Sequence, residues 1–416
     1  MQIEQSSAQL KRNYFWNTLA SAMNALSSAL FVLVIARVLG VYEAGLFSIA
    51  FALSQQFQVI GHFEIRSFQA TDTGERFSFA AYLGARYFSC LIMLLCVAGY
   101  TFCDNGFTGE AITVALIVIM KVFDAFEDVF HGMFQQHGRL DLAGRAFFFR
   151  LLAQLAVFCL CAVCTGNLTV SCLAACIVSF AVFFFANIPY ARRFAAPVPS
   201  FALRPIAGIF WACLPLFVGS FLLVYLTNAP RYAIDLYLSR EAQAVYAILF
   251  MPSLVINLLS GFVFKPLLTE MAVTFTQRNL TRFRSIVGKG IFSVTAAAAV
   301  TLIVARLWGV ELLGALYGTD LGRYRAELLI LLLGGLFNAL GIIFYYAIVT
   351  MRRQKYIFPV YAAAAAFAYF FRGIVKSRGM FGAAVLYDAS MLIVFLLFFV
   401  IASFGLAHSA RRAQIT

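Results

Sequence analysis

Apolar and polar positions along this chain alternate on the scale of whole segments. Runs of about twenty mostly apolar residues, the length that crosses a bilayer core as a helix, recur twelve times. They lie at about 15–36, 43–63, 80–102, 109–131, 143–165, 168–190, 206–230, 243–264, 285–308, 326–349, 356–375 and 380–403. Hydrocarbon offers no partner to an unpaired backbone N–H or C=O, so each run reads as a helix. The pattern predicts an all-α polytopic membrane protein of about twelve transmembrane helices.

Composition narrows the class. Of 416 residues, 63% are apolar and 12% charged, with a mean hydropathy of +0.89. Soluble domains run at about 45–50% apolar and about 25% charged. The balance excludes a soluble enzyme, a nucleic-acid-binding protein and a secreted disulfide scaffold. The net charge of +13 is instead read through the loops, where Lys and Arg favour the cytoplasmic side. With the N-terminus inside, twenty-one Lys and Arg fall in inner segments and eight in outer ones. Twelve spans then put both termini in the cytoplasm. No cleavable signal peptide is read in the polar first fourteen residues.

The longest polar break, around 191–205 with Pro197, Pro199 and Pro205, separates six spans from six. It predicts an N-terminal lobe over 1–196 and a C-terminal lobe over 197–416. The segment 46–54 (LFSIAFALS) aligns with 245–253 (VYAILFMPS) at an offset of 199 residues. Six spans per half give both halves the same orientation, so the two six-helix lobes form a parallel 6 + 6 repeat. Pro215 and Pro230 predict a kink in the seventh span.

Polar residues inside spans carry the candidate chemistry. Asn17, Ser21, Asn24 and Ser28 share one face of the first span. Ser54, Gln58 and Gly61 line the second, with Gln55 and His62 beside them, and Ser253, Asn257 and Ser260 line the eighth. Such stripes either glue helices together or line a shared polar cavity. In the fourth span Lys121, Asp124, Asp128 and His131 follow a 3-4-3 spacing, with Glu127 on the flank. A charge at the bilayer centre costs about 2.5–3.5 kcal/mol on insertion scales, so these groups face protein, water or each other. Three readings stand: an internal ladder from Lys121 to Asp124 and Asp128, a proton or cation relay, or placement of Asp128 and His131 near a helix end. Arg37, Arg66, Arg231, Arg86, Arg150 and Arg372 lie near span ends or within apolar stretches. They either snorkel to headgroups or grip a phosphate in a bidentate fork. Arg231 with Asp235 could also be an i,i+4 pair.

Other features are unremarkable or missing. The nine cysteines precede residue 214 and mostly sit in apolar runs, as small core residues do. Cys161 and Cys164 have redox-motif spacing without the fold such a motif needs. No Walker loop, HExxH, paired-cysteine metal site or nucleophile elbow is present. Residues 266–284, with Leu267, Leu268, Met271 and Phe275 among Arg278, Arg282 and Arg284, predict an amphipathic helix on the inner leaflet. The longest outer loop, about 309–325, offers only Glu311 or Asp320 as a base.

The run from Asn17 through Ala36-Arg-Val-Leu-Gly40-Val-Tyr-Glu-Ala-Gly45-Leu-Phe-Ser48, with Gly61-His-Phe-Glu-Ile-Arg66 and Thr71-Asp72, resembles the opening of bacterial polysaccharide (O-antigen-type) flippases. These belong to the multidrug/oligosaccharidyl-lipid/polysaccharide (MOP) exporter superfamily. Asn228-Ala-Pro-Arg-Tyr-Ala-Ile-Asp235 and Leu332-Leu-Gly-Gly-Leu-Phe-Asn338 look like that family's second half, so the resemblance spans roughly 10–405. It implies two six-helix lobes around a cationic cavity in the plasma (inner) membrane. It also implies alternating-access transfer of a polyprenyl-diphosphate-linked oligosaccharide from the inner to the outer leaflet for cell-surface polysaccharide synthesis, such as O-antigen of lipopolysaccharide. Arg37, Arg66 and Arg231, with Asn24, would contact substrate, and Lys121, Asp124, Asp128 and Asp235 would serve ion coupling. No metal, cofactor or catalytic residue is implied. The partners would be the lipid-linked glycan, membrane lipids and a polysaccharide polymerase, with no nucleic acid. Lipid II flippases usually have two further C-terminal spans, which this pattern lacks. Two rivals remain: a drug/cation antiporter of the same superfamily, which favours acidic cavities, and a membrane glycosyltransferase or O-antigen ligase.

Overall fold

A computed structural model describes residues 7–70, 72, 76–105, 108–277 and 279–415, without the side chains of 101–105, 257–269, 272, 273, 276 and 408–415. Asn257, Ser260, Leu267, Leu268 and Arg278 of the predicted stripe and surface helix therefore lie outside the described side chains, and Thr71 outside the described residues.

Every predicted span coincides with helix. In chain order these are α1 (Ser7–Val38), α2 (Val41–His62), the short α3 (Ile65–Gln69), α4 (Phe79–Asn105), α5 (Gly109–Gln136), α6 (Leu140–Thr165) and α7 (Leu168–Val182). A π-turn, Phe183–Asn187, carries α7 into α8 (Ile188–Ala191). Then follow α9 (Leu203–Tyr237), α10 (Arg240–Thr276) and α11 (Leu280–Val304). Another π-turn, Ala305–Gly309, leads into α12 (Val310–Tyr317), before α13 (Arg325–Thr350), α14 (Ile357–Phe371) and α15 (Ile374–Ile415). Gly379, at φ 57°, breaks α15 near its start, where the twelfth span was expected to begin. Among the described residues, nine helices are long and apolar enough to cross a membrane. α14 has only 15 residues, and α5 carries Lys121, Asp124, Glu127 and Asp128 within its apolar stretch. The protein is a multi-pass, all-helical membrane protein.

Local signals set the ends. Thr108 Oγ1 accepts the Ala111 N–H at 3.2 Å, and Asn279 Oδ1 accepts the Arg282 N–H at 3.0 Å, which satisfies first-turn donors. Two expectations fail here. The segment 266–276 continues α10, and 280–284 opens α11, so no separate surface helix forms; Arg282 instead pairs with Glu270 at 2.7 Å. Much of the supposed outer loop 309–325 is α12 and a short 3₁₀ turn, Gly322–Tyr324, with Glu311 paired to Arg325.

The chain divides into two compact units, 1–224 and 225–416, with the division inside α9. The first half of α9 belongs to the first unit because Ile206, Ile209 and Cys213 share a buried cluster with Tyr82 and Ala85 of α4. Phe217 also stacks on Phe63 at 4.2 Å. Within the first unit α1 packs tightly against α6 at Gly144. A Cβ there would stand 2.6 Å from the Trp16 backbone. We expect Gly144→Val to push the helices apart and lower the thermal midpoint of the detergent-solubilised protein, a loss of about 1–3 kcal/mol. Gly99→Ala, where a Cβ meets nothing within 4 Å, should leave the midpoint unchanged. Equal midpoints for both variants would refute the close packing. In the second unit α13 packs on α15 and α10, with Ser253 Oγ donating to the Leu331 carbonyl at 2.8 Å.

Candidate functional site

The first unit holds a chain of buried charges strung along one face of α5. Lys121 Nζ donates to Asp124 at 2.8 Å, as the ladder reading expected. Asp128 departs from that ladder and takes Arg86 at 2.9 Å and Arg66 at 3.5 Å. Arg150 from α6 lies between Asp124 and Glu127, with its Nε 2.6 Å from Glu127. Arg150 and Arg86 are completely buried. Both sit there because carboxylates one turn apart on α5 meet them from neighbouring helices. The first π-turn adds Asn187 to this network; its amide donates to Glu127 at 2.9 Å. The π-turn of 183–187 ends on that residue, and such insertions often occur at functional sites. Gln58 bridges α2 to α5, donating to Asp124 at 3.3 Å, with its amide nitrogen also 3.3 Å from His62 Nε2. His131 approaches Glu127 at 3.6 Å.

The network opens into a cavity of about 440 Å³ lined by His62, Glu64, Arg66, Ser67, Asp128 and Gln135. Its rim is a break in the backbone. α2 stops at His62, and Phe63 and Glu64 both adopt left-handed conformations, at φ 45° and 55°. Non-glycine residues pay about 1–2 kcal/mol for that region, so tertiary contacts hold them there. Phe63 is clamped between Phe210 and Phe217. Glu64 accepts from Ser67 at 2.5 Å and Ser220 at 2.6 Å. The turn sets α3 so that Arg66 reaches Asp128 and Gln135. Unlike Arg86, whose other donor is tied to the Gly61 carbonyl, Arg66 keeps part of its side chain exposed, at 31%.

Outside the membrane segment, Asp72 organises the turn before α4. Its carboxylate accepts from the N–H groups of Arg76 and Phe77 at 3.0 and 3.1 Å and from Tyr82 Oη at 2.7 Å. Burial pushes the carboxyl upward, but these hydrogen bonds outweigh it and hold it below the usual carboxylate value. A depressed pKa in the folded state means the turn is stabilised above the unfolded value of about 3.9. That stabilisation fades as pH falls through the lower folded value. Asp72→Asn should therefore speed hydrogen exchange at the Arg76 and Phe77 amides at neutral pH. The gap between wild type and variant should close as the medium is acidified; a gap independent of pH would contradict the assignment.

The second unit carries a different site. Arg231, on α9, is 7% exposed and bonds Asn228 Oδ1 at 3.2 Å. Its guanidinium lies over Phe250 of α10, 5.3 Å from the ring centre. The Arg231–Asp235 pair left open by the sequence does not form. Asp235 turns to Arg240 instead, and no carboxylate approaches Arg231 among the described residues.

The remaining predicted contacts are more exposed. Arg37 is exposed at the end of α1, and Asn24 lies on an exposed face of the same helix. Sequence reasoning noticed Arg86, Arg150, Glu127 and His62 without placing them in a site. The signal was present in the apolar surroundings of the two arginines, which a snorkelling side chain would not need. Nothing in the sequence pointed to Asn187.

No protein-family model matches the chain. The capsular polysaccharide biosynthesis protein CapF of Staphylococcus aureus is 21% identical over 342 residues, 80% of this chain and 83% of that protein. A multidrug resistance MATE family transporter of the MOP superfamily, in an inward-facing conformation, superposes with a TM-score of 0.70 at 13% identity. That match covers 93% of this chain and 96% of the other. A MOP superfamily transporter from Pyrococcus furiosus, whose reversed binding-pocket polarity is described as suggesting a different function, gives 0.61 at 12% identity over 97% and 96%. The chain thus has the two-lobed fold of MOP superfamily transporters. The resemblance read from its sequence to the polysaccharide branch agrees with the CapF similarity.

Proposed function

We propose that this protein is a flippase that moves a polyprenyl-diphosphate-linked oligosaccharide from the inner to the outer leaflet of a bacterial plasma membrane. The observation that carries this reading is the sign of the available charge. Asp124, Glu127 and Asp128 of α5 are already engaged by Lys121, Arg150, Arg86 and Arg66, so they offer little to a cationic drug. Arg231 has no carboxylate partner among the described residues, and Arg66 is partly exposed at a cavity. A transporter so arranged favours an anionic substrate, and an arginine fork fits a diphosphate. The CapF similarity supports a glycan cargo.

In this reading Arg66, Arg231 and the exposed Arg37 hold the diphosphate and acidic sugars, while Asn24 contacts the glycan. No covalent step is required. Coupling is assigned to Lys121, Asp124 and Asp128, with Asp235, and works by exchange of ion-pair partners because each carboxylate already holds a cation. Both termini lie in the cytoplasm, and a polysaccharide polymerase receives the product outside.

The test is mass spectrometry of lipid-linked intermediates after deletion of the gene. Accumulation of a polyprenyl-diphosphate glycan, with its loss outside, is expected; an unchanged lipid pool would refute the reading. One observation favours a cation exporter: Asp388, partly buried in α15, has no cationic partner among the described residues. Under that alternative, deletion and Asp388→Asn would both raise sensitivity to cationic drugs.

A further inference from the structure

Around Phe250 in the second unit, three buried donor atoms lack an acceptor among the described residues. The Arg231 Nε has no hydrogen-bond partner, and neither do the hydroxyls of Tyr246 on α10 and Tyr387 on α15. Both tyrosines are fully buried. The three groups act electrostatically on one another and surround Phe250. That ring stacks on Tyr246 at 5.9 Å, meets Tyr387 edge-on at 5.0 Å and lies under the guanidinium. Gln243 adds no counter-charge, since its amide donates to the Arg231 carbonyl. Asp388 adjoins Tyr387 without forming an ion pair with Arg231.

A buried guanidinium without a counter-charge is strongly disfavoured, more so in a membrane segment. Phenol hydroxyls left unbonded are also costly. One occupant relieves all three: an anion that accepts from Arg231, Tyr246 and Tyr387. We infer that the second unit binds a small monovalent anion of the halide class at Arg231, Tyr246 and Tyr387. A single cation matches a single negative charge. Two neutral phenol donors and an aromatic wall suit a weakly hydrated ion better than a multiply charged phosphate. The anion is the resting counter-ion of this arginine, and substrate would displace it.

The test needs no glycan, so it stands or falls apart from the flippase reading. Thermal unfolding of the purified full-length protein is followed as chloride replaces gluconate at constant ionic strength, with bromide and phosphate in parallel. The wild-type midpoint should rise and saturate with chloride and bromide. Tyr246→Phe/Tyr387→Phe, which keeps both rings, should raise the half-saturating chloride concentration roughly tenfold. Arg231→Leu should abolish the response, and if it fails to fold the tyrosine variant decides alone. A wild-type midpoint indifferent to chloride, a double variant with an unchanged response, or stronger stabilisation by phosphate would each overturn the inference.

Discussion

Replacing Arg150 with methionine should leave almost no folded protein. Its guanidinium is the shared partner of Asp124 and Glu127 and is completely buried. Removing it strands two carboxylates on α5, of which Asp124 keeps Lys121 and Gln58, while Glu127 keeps, among the described residues, Asn187 and His131. Breaking a buried pair from one side costs about 3–5 kcal/mol, and stability margins are about 5–15 kcal/mol. The measurement is the monodisperse fraction after detergent extraction, with the thermal midpoint of whatever survives. Glu127→Gln in the same background removes the charge left without a cation and should restore much of the yield. Wild-type yield from Arg150→Met alone would show that these charges are satisfied from elsewhere.

The second large effect concerns transport without loss of fold. Arg66→Ala should cut surface glycan about tenfold to a hundredfold, the value of one charge-assisted hydrogen bond at about 1.5–3 kcal/mol. Expression and midpoint should stay near wild type, because Asp128 retains Arg86 at 2.9 Å and Arg66 is already partly exposed. Arg66→Lys should recover only part of the activity, since an ammonium cannot make the bidentate contact. Arg231→Ala should also block export, but with some loss of stability, as Arg231 is buried against Phe250. Normal surface glycan in both alanine variants would remove these residues from the proposed site.

The contrast between Arg66 and Arg150 shows where sequence reading stopped. The spacing of Lys121, Asp124, Asp128 and His131 placed ionisable groups on one face of a helix, and that face is where the network forms. Spacing along one helix could not say that Asp128 turns from Lys121 to Arg66 and Arg86. Those partners stand 62 and 42 positions away. Asp235 makes the same point at short range. It prefers Arg240, five residues on, over Arg231, four residues back. The predicted surface helix failed for a related reason: its apolar and basic residues continue α10 and open α11 rather than forming an element of their own.

What the sequence determined by itself is the membrane class, the position of each long apolar helix and the sign of the charge. These follow from the length and hydropathy of each run, since lipid forces every apolar stretch to satisfy its backbone internally. Only the tertiary structure decided which charges are matched and which are left over. It set the αL turn at Phe63 and Glu64 that presents Arg66, brought Asn187 onto Glu127, and left Arg231 over the Phe250 ring with no carboxylate partner among the described residues. Charge pairing is decided by the few ångströms between side chains on different helices. A linear pattern specifies which face of a helix is polar but not which face of another helix will meet it.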